Sequence, residues 1–232
     1  MYTQSYMVGK SFKPVSDKES RVIKIISRLE DEFQVDSSFG SDPFLTLVRT
    51  VLSQNTNSRN TRRAFDNLTP EYTSPKDFAE ADPEKLEELI RPAGLYRSKA
   101  RNLQKLARII INEHEGSLEE ILEKSRTEAR KELIKMPGVG PKTADCVLLF
   151  ADGRDVLPVD THVSRTTKRL GFAHLDDDPE AVKEKLEPLV PEGERGKLHL
   201  LLIALGREYC KAPTPICESC PIDDLCPRQG VD

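Results

Sequence analysis

Met136-Pro137-Gly138-Val139-Gly140-Pro141-Lys142 is a turn rich in glycine and proline between two segments of helical pattern. Before it, Thr127 to Ile134 places apolar residues at helical spacing. After it, Ala144 to Ala151 is apolar on nearly every face, as in a helix that runs through a core. Two glycines in a G-x-G turn leave backbone N–H groups unobstructed at the positive end of the following helix, and together they form an anion site. Pro137 and Pro141 stiffen the turn. Gly-Val-Gly by itself equally describes a plain tight turn. Between two helices, and followed by Lys142-Thr143-Ala144, it reads as a helix-hairpin-helix. Such a hairpin grips the phosphate backbone of a nucleic acid without reading its sequence. Pro137, Gly138, Val139 and Gly140 are the expected contacts.

Outward from the hairpin the pattern stays helical. Val22, Ile25, Ile26, Leu29 and Phe33 make one stripe, and Leu103, Leu106, Ala107 and Ile110 make another. Phe44 to Leu52, Pro83 to Ile90, Pro179 to Val190 and Lys197 to Leu205 follow the same rule. Pro83 and Pro179 suit a first helical turn, with Asp82 and Asp178 as N-caps. Only Val156 to Val159 suggests an extended connector, and there is no internal repeat. The predicted fold class is all-α.

Asp160 lies eighteen residues after Lys142, in Val159-Asp160-Thr161-His162-Val163. Taken singly, Asp160 reads as a helix N-cap and Lys142 as a phosphate contact beside the hairpin. Taken together they offer a nucleophilic amine and a permanently ionised carboxylate.

Four of the five cysteines, Cys210, Cys217, Cys220 and Cys226, occupy the last 23 residues with the spacing C-x6-C-x2-C-x5-C. Met1 to Lys18 is polar and carries no apolar leader, so a reducing, cytoplasmic setting is expected and disulfides are disfavoured. Clustered thiols then read as a metal or iron–sulfur site. Zinc sites usually draw ligands from two short Cys or His pairs, whereas only Cys217 and Cys220 form such a pair here. Unequal arms suit a [4Fe–4S] cluster better, with zinc the alternative. Cys146, in the buried helix, reads as core.

At 232 residues the chain can hold one large domain or two small ones, and no apolar run approaches membrane-spanning length. Its net charge of −4 speaks weakly against a nucleic-acid partner, but the charges are segregated. Pro43 to Phe65 contains Arg49, Arg59, Arg62 and Arg63 and no acid; Gly94 to Asn112 contains Arg97, Lys99, Arg101, Lys105 and Arg108 and no acid. A basic face on an acidic body can still hold phosphates.

The hairpin with Lys142, the V-D-T-H-V segment and the terminal cysteine loop resemble the endonuclease III family of DNA base-excision glycosylases, the helix-hairpin-helix, iron–sulfur type. Val51-Leu52-Ser53-Gln54-Asn55-Thr56 and Gly94-Leu95-Tyr96-Arg97-Ser98-Lys99-Ala100 also resemble family signatures, in the right order, so the likeness runs from about Pro43 to Cys226. It implies two helical domains with the active site in the cleft between them. Residues 37–154 would form a six-helix barrel with the hairpin; 1–36 and 155–232 would form a discontinuous domain holding a [4Fe–4S] cluster on the four cysteines. The partner would be double-stranded DNA with a damaged base or an abasic site, bound by a monomer. A target base must leave the stack, and Leu95 with Gln54, or Asn55 one position on, would fill the gap. Lys142 would attack the sugar C1′ and form a Schiff base, which requires a neutral amine; a helix first turn disfavours the ammonium. Asp160 would stabilise charge developing on the sugar, and elimination would then cut the strand. Oxidised pyrimidines are the implied substrates. Between Cys210 and Cys217 only Lys211 is basic, fewer cations than the family tends to carry. Other readings are a thymine or uracil mismatch glycosylase and a non-catalytic DNA-binding module with a structural metal. An adenine glycosylase fits less well, since that group lacks the lysine and carries a further C-terminal domain.

Overall fold

The computed structural model describes residues 16–231. These form twelve α-helices: α1 (Asp17–Glu32), α2 (Pro43–Ser53), α3 (Ser58–Leu68), α4 (Pro75–Glu80), α5 (Pro83–Ile90), α6 (Tyr96–Glu113), α7 (Glu119–Glu123), α8 (Arg126–Lys135), α9 (Pro141–Phe150), α10 (Thr161–Arg169), α11 (Pro179–Leu186) and α12 (Arg195–Glu208). No strand occurs among the described residues, so the all-α expectation holds.

Most of these helices are short, and their starts are fixed locally. Eight open on a Ser, Asp or Asn whose side chain accepts a first-turn N–H: Ser16, Asp42, Asn57, Ser74, Asp82, Ser125, Asp160 and Asp178. Each such cap is worth about 1 kcal/mol over Ala. Helix α9 is different, because its N-cap is Gly140 and no side chain closes its N-terminus. Its first N–H groups are left to solvent or a ligand.

Two hydrophobic cores divide the chain. The first runs from Phe44 to Val156 and is filled by α2 to α9; the second joins Val22, Ile25, Ile26 and Leu29 of α1 to residues from Leu157 to Ile222. The chain crosses from one to the other between Val156 and Leu157, both almost fully buried. In the first core, α9 packs on α2 and α8, and α6 on α4 and α5; in the second, α12 packs on α10 and α1. The fold is therefore two helical domains. Gly206 permits the close approach of α12 to α10, since a Cβ there would lie 2.9 Å from His162 Nδ1.

Helix α9 contains a charge that its apolar pattern hides. Asp145 is 1% exposed. It accepts from Arg130 Nε of α8 at 2.8 Å and from Lys183 Nζ of α11 at 2.7 Å. Arg130 also reaches Glu180 of α11 at 2.8 Å. Buried charge is tolerated when paired, and here the pairing ties the helix that carries Lys142 to the second domain.

The structure differs from the sequence reading in two places. Helices α3, α4 and α7 were not anticipated, because the first buries only Thr61, Ala64 and Leu68 and the others are single short turns. The helix from Pro179 ends at Leu186 and tightens to a 3-10 turn at Glu187–Leu189, where Pro188 cannot donate an N–H. Val156 to Val159, expected as a connector, is one: it is buried and belongs to no helix or strand.

Candidate active site and nucleic-acid interface

The hairpin turn is fixed from behind. Val139 is 5% exposed, so its side chain belongs to the first core and only its backbone is presented outward. Gly138 adopts φ +79°, a left-handed conformation, and a Cβ there would meet Asn102 Nδ2 of α6 at 2.9 Å. A Cβ on Gly140 would meet nothing within 4 Å. Gly138 is thus demanded by the fold, whereas Gly140 keeps open space above the N-terminus of α9.

Gln54 caps the C-terminus of α2 and reaches this turn. Its Nε2 donates to Gly138 O at 2.9 Å and to Thr143 Oγ1 at 3.2 Å. Asn55 is exposed, with φ +53°. Leu95 is 60% exposed at φ +47°, an unusual state for a large apolar residue. Lys99, expected on the basic face, is instead 3% exposed. Its Nζ donates to Leu52 O at 2.8 Å, Gln54 O at 2.7 Å and Ala93 O at 2.9 Å. Burial lowers its pKa to about 8. Arg49, Arg59, Arg62, Arg63, Arg97, Arg101, Lys105 and Arg108 remain exposed.

Lys142 lies in the first turn of α9, half-buried. Asp160 caps α10, accepting Val163 N–H at 2.8 Å. The charges of both act on the same two buried groups. Burial pushes the Cys146 thiol up, against the charge and hydrogen bond of Lys142, and Asp160 acts on it too. Burial likewise lowers His199 of α12 to about 4, with the charges of Asp160 and Lys142 both felt there. His199 Nδ1 is 2.8 Å from Pro158 O, and since a carbonyl only accepts, that nitrogen carries the proton. Cys146, 2% exposed, is core, as its place in the apolar helix implies.

Cys210, Cys217, Cys220 and Cys226 line one cavity with Leu205, Ile216 and Ile222. None is in a disulfide. Among the described residues no three His, Cys, Asp or Glu side chains meet at a single ion position. Burial pushes Cys220 up to about 11. Two arginines of α10, which the sequence reading passed over, hold the loop in place. Arg165 donates to Cys210 O at 2.9 Å and Gly206 O at 2.8 Å; Arg169 donates to Lys211 O at 2.7 Å and Ala212 O at 2.9 Å and approaches Cys210 Sγ at 3.4 Å. Their only local signal is a basic, polar helix directly after Asp160.

Two helical cores and an uncapped helix after a glycine turn describe a two-domain helical protein with a helix-hairpin-helix. The model described as HhH-GPD superfamily base excision DNA repair protein matches residues 48–192. Endonuclease III of Thermotoga maritima is 39% identical over 186 residues, 80% of this chain and 83% of the relative. Endonuclease III of Escherichia coli K12 is 37% identical over 193 residues, 83% and 87% of the two chains. A solved structure of a trapped endonuclease III–DNA covalent intermediate superposes with a TM-score of 0.80 at 35% identity, covering 90% of this chain and 96% of the other. A thermostable thymine-DNA glycosylase shares the fold, with a TM-score of 0.76 at 24% identity over 91% of this chain and 96% of its own. The chain belongs to the endonuclease III family. It is a DNA N-glycosylase and abasic-site lyase of base excision repair. No helix among the described residues is long and apolar enough to cross a membrane.

Proposed function

We propose that Lys142 is the nucleophile and Asp160 the electrostatic partner of a reaction on damaged, base-extruded duplex DNA, with an oxidised pyrimidine as the substrate class. The observation that carries this is the place of Lys142 in the first turn of α9, at the open N-terminus of that helix, together with Asp160 at the N-cap of α10. The Lys142 nitrogen bonds to C1′ as the N-glycosidic bond breaks; the base leaves with that electron pair and takes up a proton. The nitrogen then gives up one of its two protons, and ring O4′ leaves C1′ and takes up a proton as the ring opens, which yields the protonated Schiff base. Loss of a C2′ proton then expels the 3′ phosphate and cuts the strand, and water releases Lys142. The Asp160 carboxylate stabilises positive charge on the sugar. The trapped covalent complex of the related endonuclease III supports this route.

Duplex DNA would rest on Pro137, Gly138, Val139 and Gly140 through backbone contacts, with Gln54 or Asn55 and Leu95 filling the space the base vacates. Exposure of Leu95 and the nearness of Gln54 to the hairpin support these roles. We further propose domain boundaries at 37–154 and at 1–36 with 155–232, supported by the change of core after Val156; residues 1–15 and 232 lie outside the described part. The protein would act as a cytoplasmic monomer.

Cys210, Cys217, Cys220 and Cys226 would hold a [4Fe–4S] cluster. Four thiols lining a common cavity on arms of unequal length suit a multi-atom cluster better than the two short Cys or His pairs usual for zinc. When bound, the cluster would cross-link the loop through its irons. Arg165 and Arg169 hold that loop against α10.

Borohydride added during turnover tests the central assignment. A covalent protein–DNA adduct should accumulate with the wild type and be absent with Lys142→Gln, while binding to abasic DNA survives. An adduct formed at the normal rate by Lys142→Gln would identify another amine as the nucleophile. A panel of oxidised pyrimidines, uracil and thymine mismatches tests the substrate class.

A further inference from the structure

Lys99 is buried without a carboxylate among its hydrogen-bond partners. A lone buried ammonium is costly unless its donors are satisfied. Its three N–H groups meet three backbone carbonyls, those of Leu52, Gln54 and Ala93, at 2.7 to 2.9 Å. Two of these carbonyls end α2, where orphan acceptors and the negative end of the helix favour a cation. The third belongs to the 3-10 turn Arg91–Ala93.

These sites are the roots of two surface loops. Asn55 follows one clamped residue directly, and Leu95 lies two positions beyond another. Both non-glycine residues hold left-handed φ, +53° and +47°. Asn tolerates this conformation, but for a large apolar residue such as Leu95 it is rare and persists only where the surroundings enforce it. Lys99 also belongs to the first turns of α6, its own N–H bonding Leu95 O at 3.0 Å. One side chain therefore fixes the position of each loop relative to the other.

We propose that Lys99 is a positioning residue that couples the two DNA-invading loops, setting Gln54 and Leu95 in register so that the target base is extruded. This rests on the gap-filling roles of Gln54 and Leu95 given above. Lys99 touches no DNA and no reacting atom; it acts through those two side chains. A merely structural lysine would affect every activity alike, whereas a loop-coupling lysine affects the step that requires extrusion.

The test compares base release from a duplex with a damaged base beside 2-aminopurine with strand cleavage at a preformed abasic site. Folding of each variant is checked first by thermal melting. Lys99→Met should lower kcat for base release and the 2-aminopurine fluorescence rise together by roughly 10²-fold, the scale of an ångström-level misplacement. KM and cleavage at the abasic site should each stay within about threefold, since the hairpin and Lys142 are untouched. Added to Gln54→Ala/Leu95→Ala, the same change should cost less than about twofold, because the groups it positions are gone. If Lys99→Met does not fold, Lys99→Arg keeps charge and stem, but its planar fork cannot supply three donors from one atom, and the same selective loss should appear. Equal losses on both substrates, or a full further loss in the Gln54→Ala/Leu95→Ala background, would overturn the proposal. Normal extrusion by Gln54→Ala/Leu95→Ala alone would instead overturn the gap-filling roles on which it stands.

Discussion

Asp160 caps α10, and the proposed electrostatic role is a second, separable task that Asp160→Asn divides from the first. The cap uses Oδ1, which accepts Val163 N–H at 2.8 Å. An Asn oxygen can accept the same bond, and Asn and Asp are about equal N-caps. Stability should therefore stay within about 0.5 kcal/mol for Asp160→Asn, whereas Asp160→Ala should lose about 1 kcal/mol, or about 2–4 °C in Tm for a chain of this size. The charge is lost in both. A carboxylate about 4 Å from a developing cation, at the effective dielectric of about 20 suited to a half-buried site, contributes about 4 kcal/mol. That corresponds to about 10³ in rate. Single-turnover release of the damaged base, with melting curves of the same samples, measures both quantities. Binding to abasic DNA should be retained, as no contact surface is removed. Base release at the wild-type rate by Asp160→Asn would refute the electrostatic role, and matched stability losses for Asn and Ala would refute the cap.

Asp145→Asn should destabilise the fold by about 3 kcal/mol, the lower end for breaking a buried pair, because Arg130 and Lys183 keep 22% and 13% side-chain exposure; adding Lys183→Met should recover part of it in denaturant titrations. Gly140→Val should lose no more than about 1 kcal/mol, since its Cβ has open space but Val is a poorer N-cap than Gly, and should weaken binding to all duplexes alike, while Gly138→Val should lose more stability through its left-handed φ and Asn102; sequence-selective loss would contradict a backbone grip. His199 is lowered to about 4 by burial, below its ordinary value near 6.5, so the unfolded chain takes up the proton first. Its contribution is complete above about pH 6.5 and declines as pH falls toward 4, by roughly 3 kcal/mol in all; His199→Leu should flatten that limb of a stability–pH curve. Purified protein should contain about four irons per chain and be yellow-brown, Ser at any of Cys210, Cys217, Cys220 or Cys226 should bleach it, and Cys146→Ser should not; stoichiometric zinc in colourless protein would reverse the assignment.

What the sequence discloses depends on how local each cause is. The stripes of α1 and α6, the proline-led starts of α5 and α11 and the aspartate caps are set by residues a few positions apart, and they are readable as such. The G-V-G turn belongs to the same class, because its φ +79° at Gly138 is a backbone demand. Charge resists this kind of reading. Lys99 stands among five cations in an acid-free stretch, and Arg97, Arg101, Lys105 and Arg108 are indeed exposed. Its burial is decided by carbonyls up to 47 residues away in the chain. Asp145 looks like one polar interruption in an apolar helix until Arg130 and Lys183 arrive from α8 and α11. Arg165 and Arg169 find their acceptors 41 to 45 residues downstream. Apolar periodicity reports which face of a helix is buried, whatever it packs against. A buried charge is stable only through particular partners. The residues that join loops, domains and the cysteine segment are charged here, so what sequence pattern misses is the wiring between elements. For the same reason, removal of Lys99 should produce a selective defect, and removal of Asp145 a loss of stability, that no local pattern foretells.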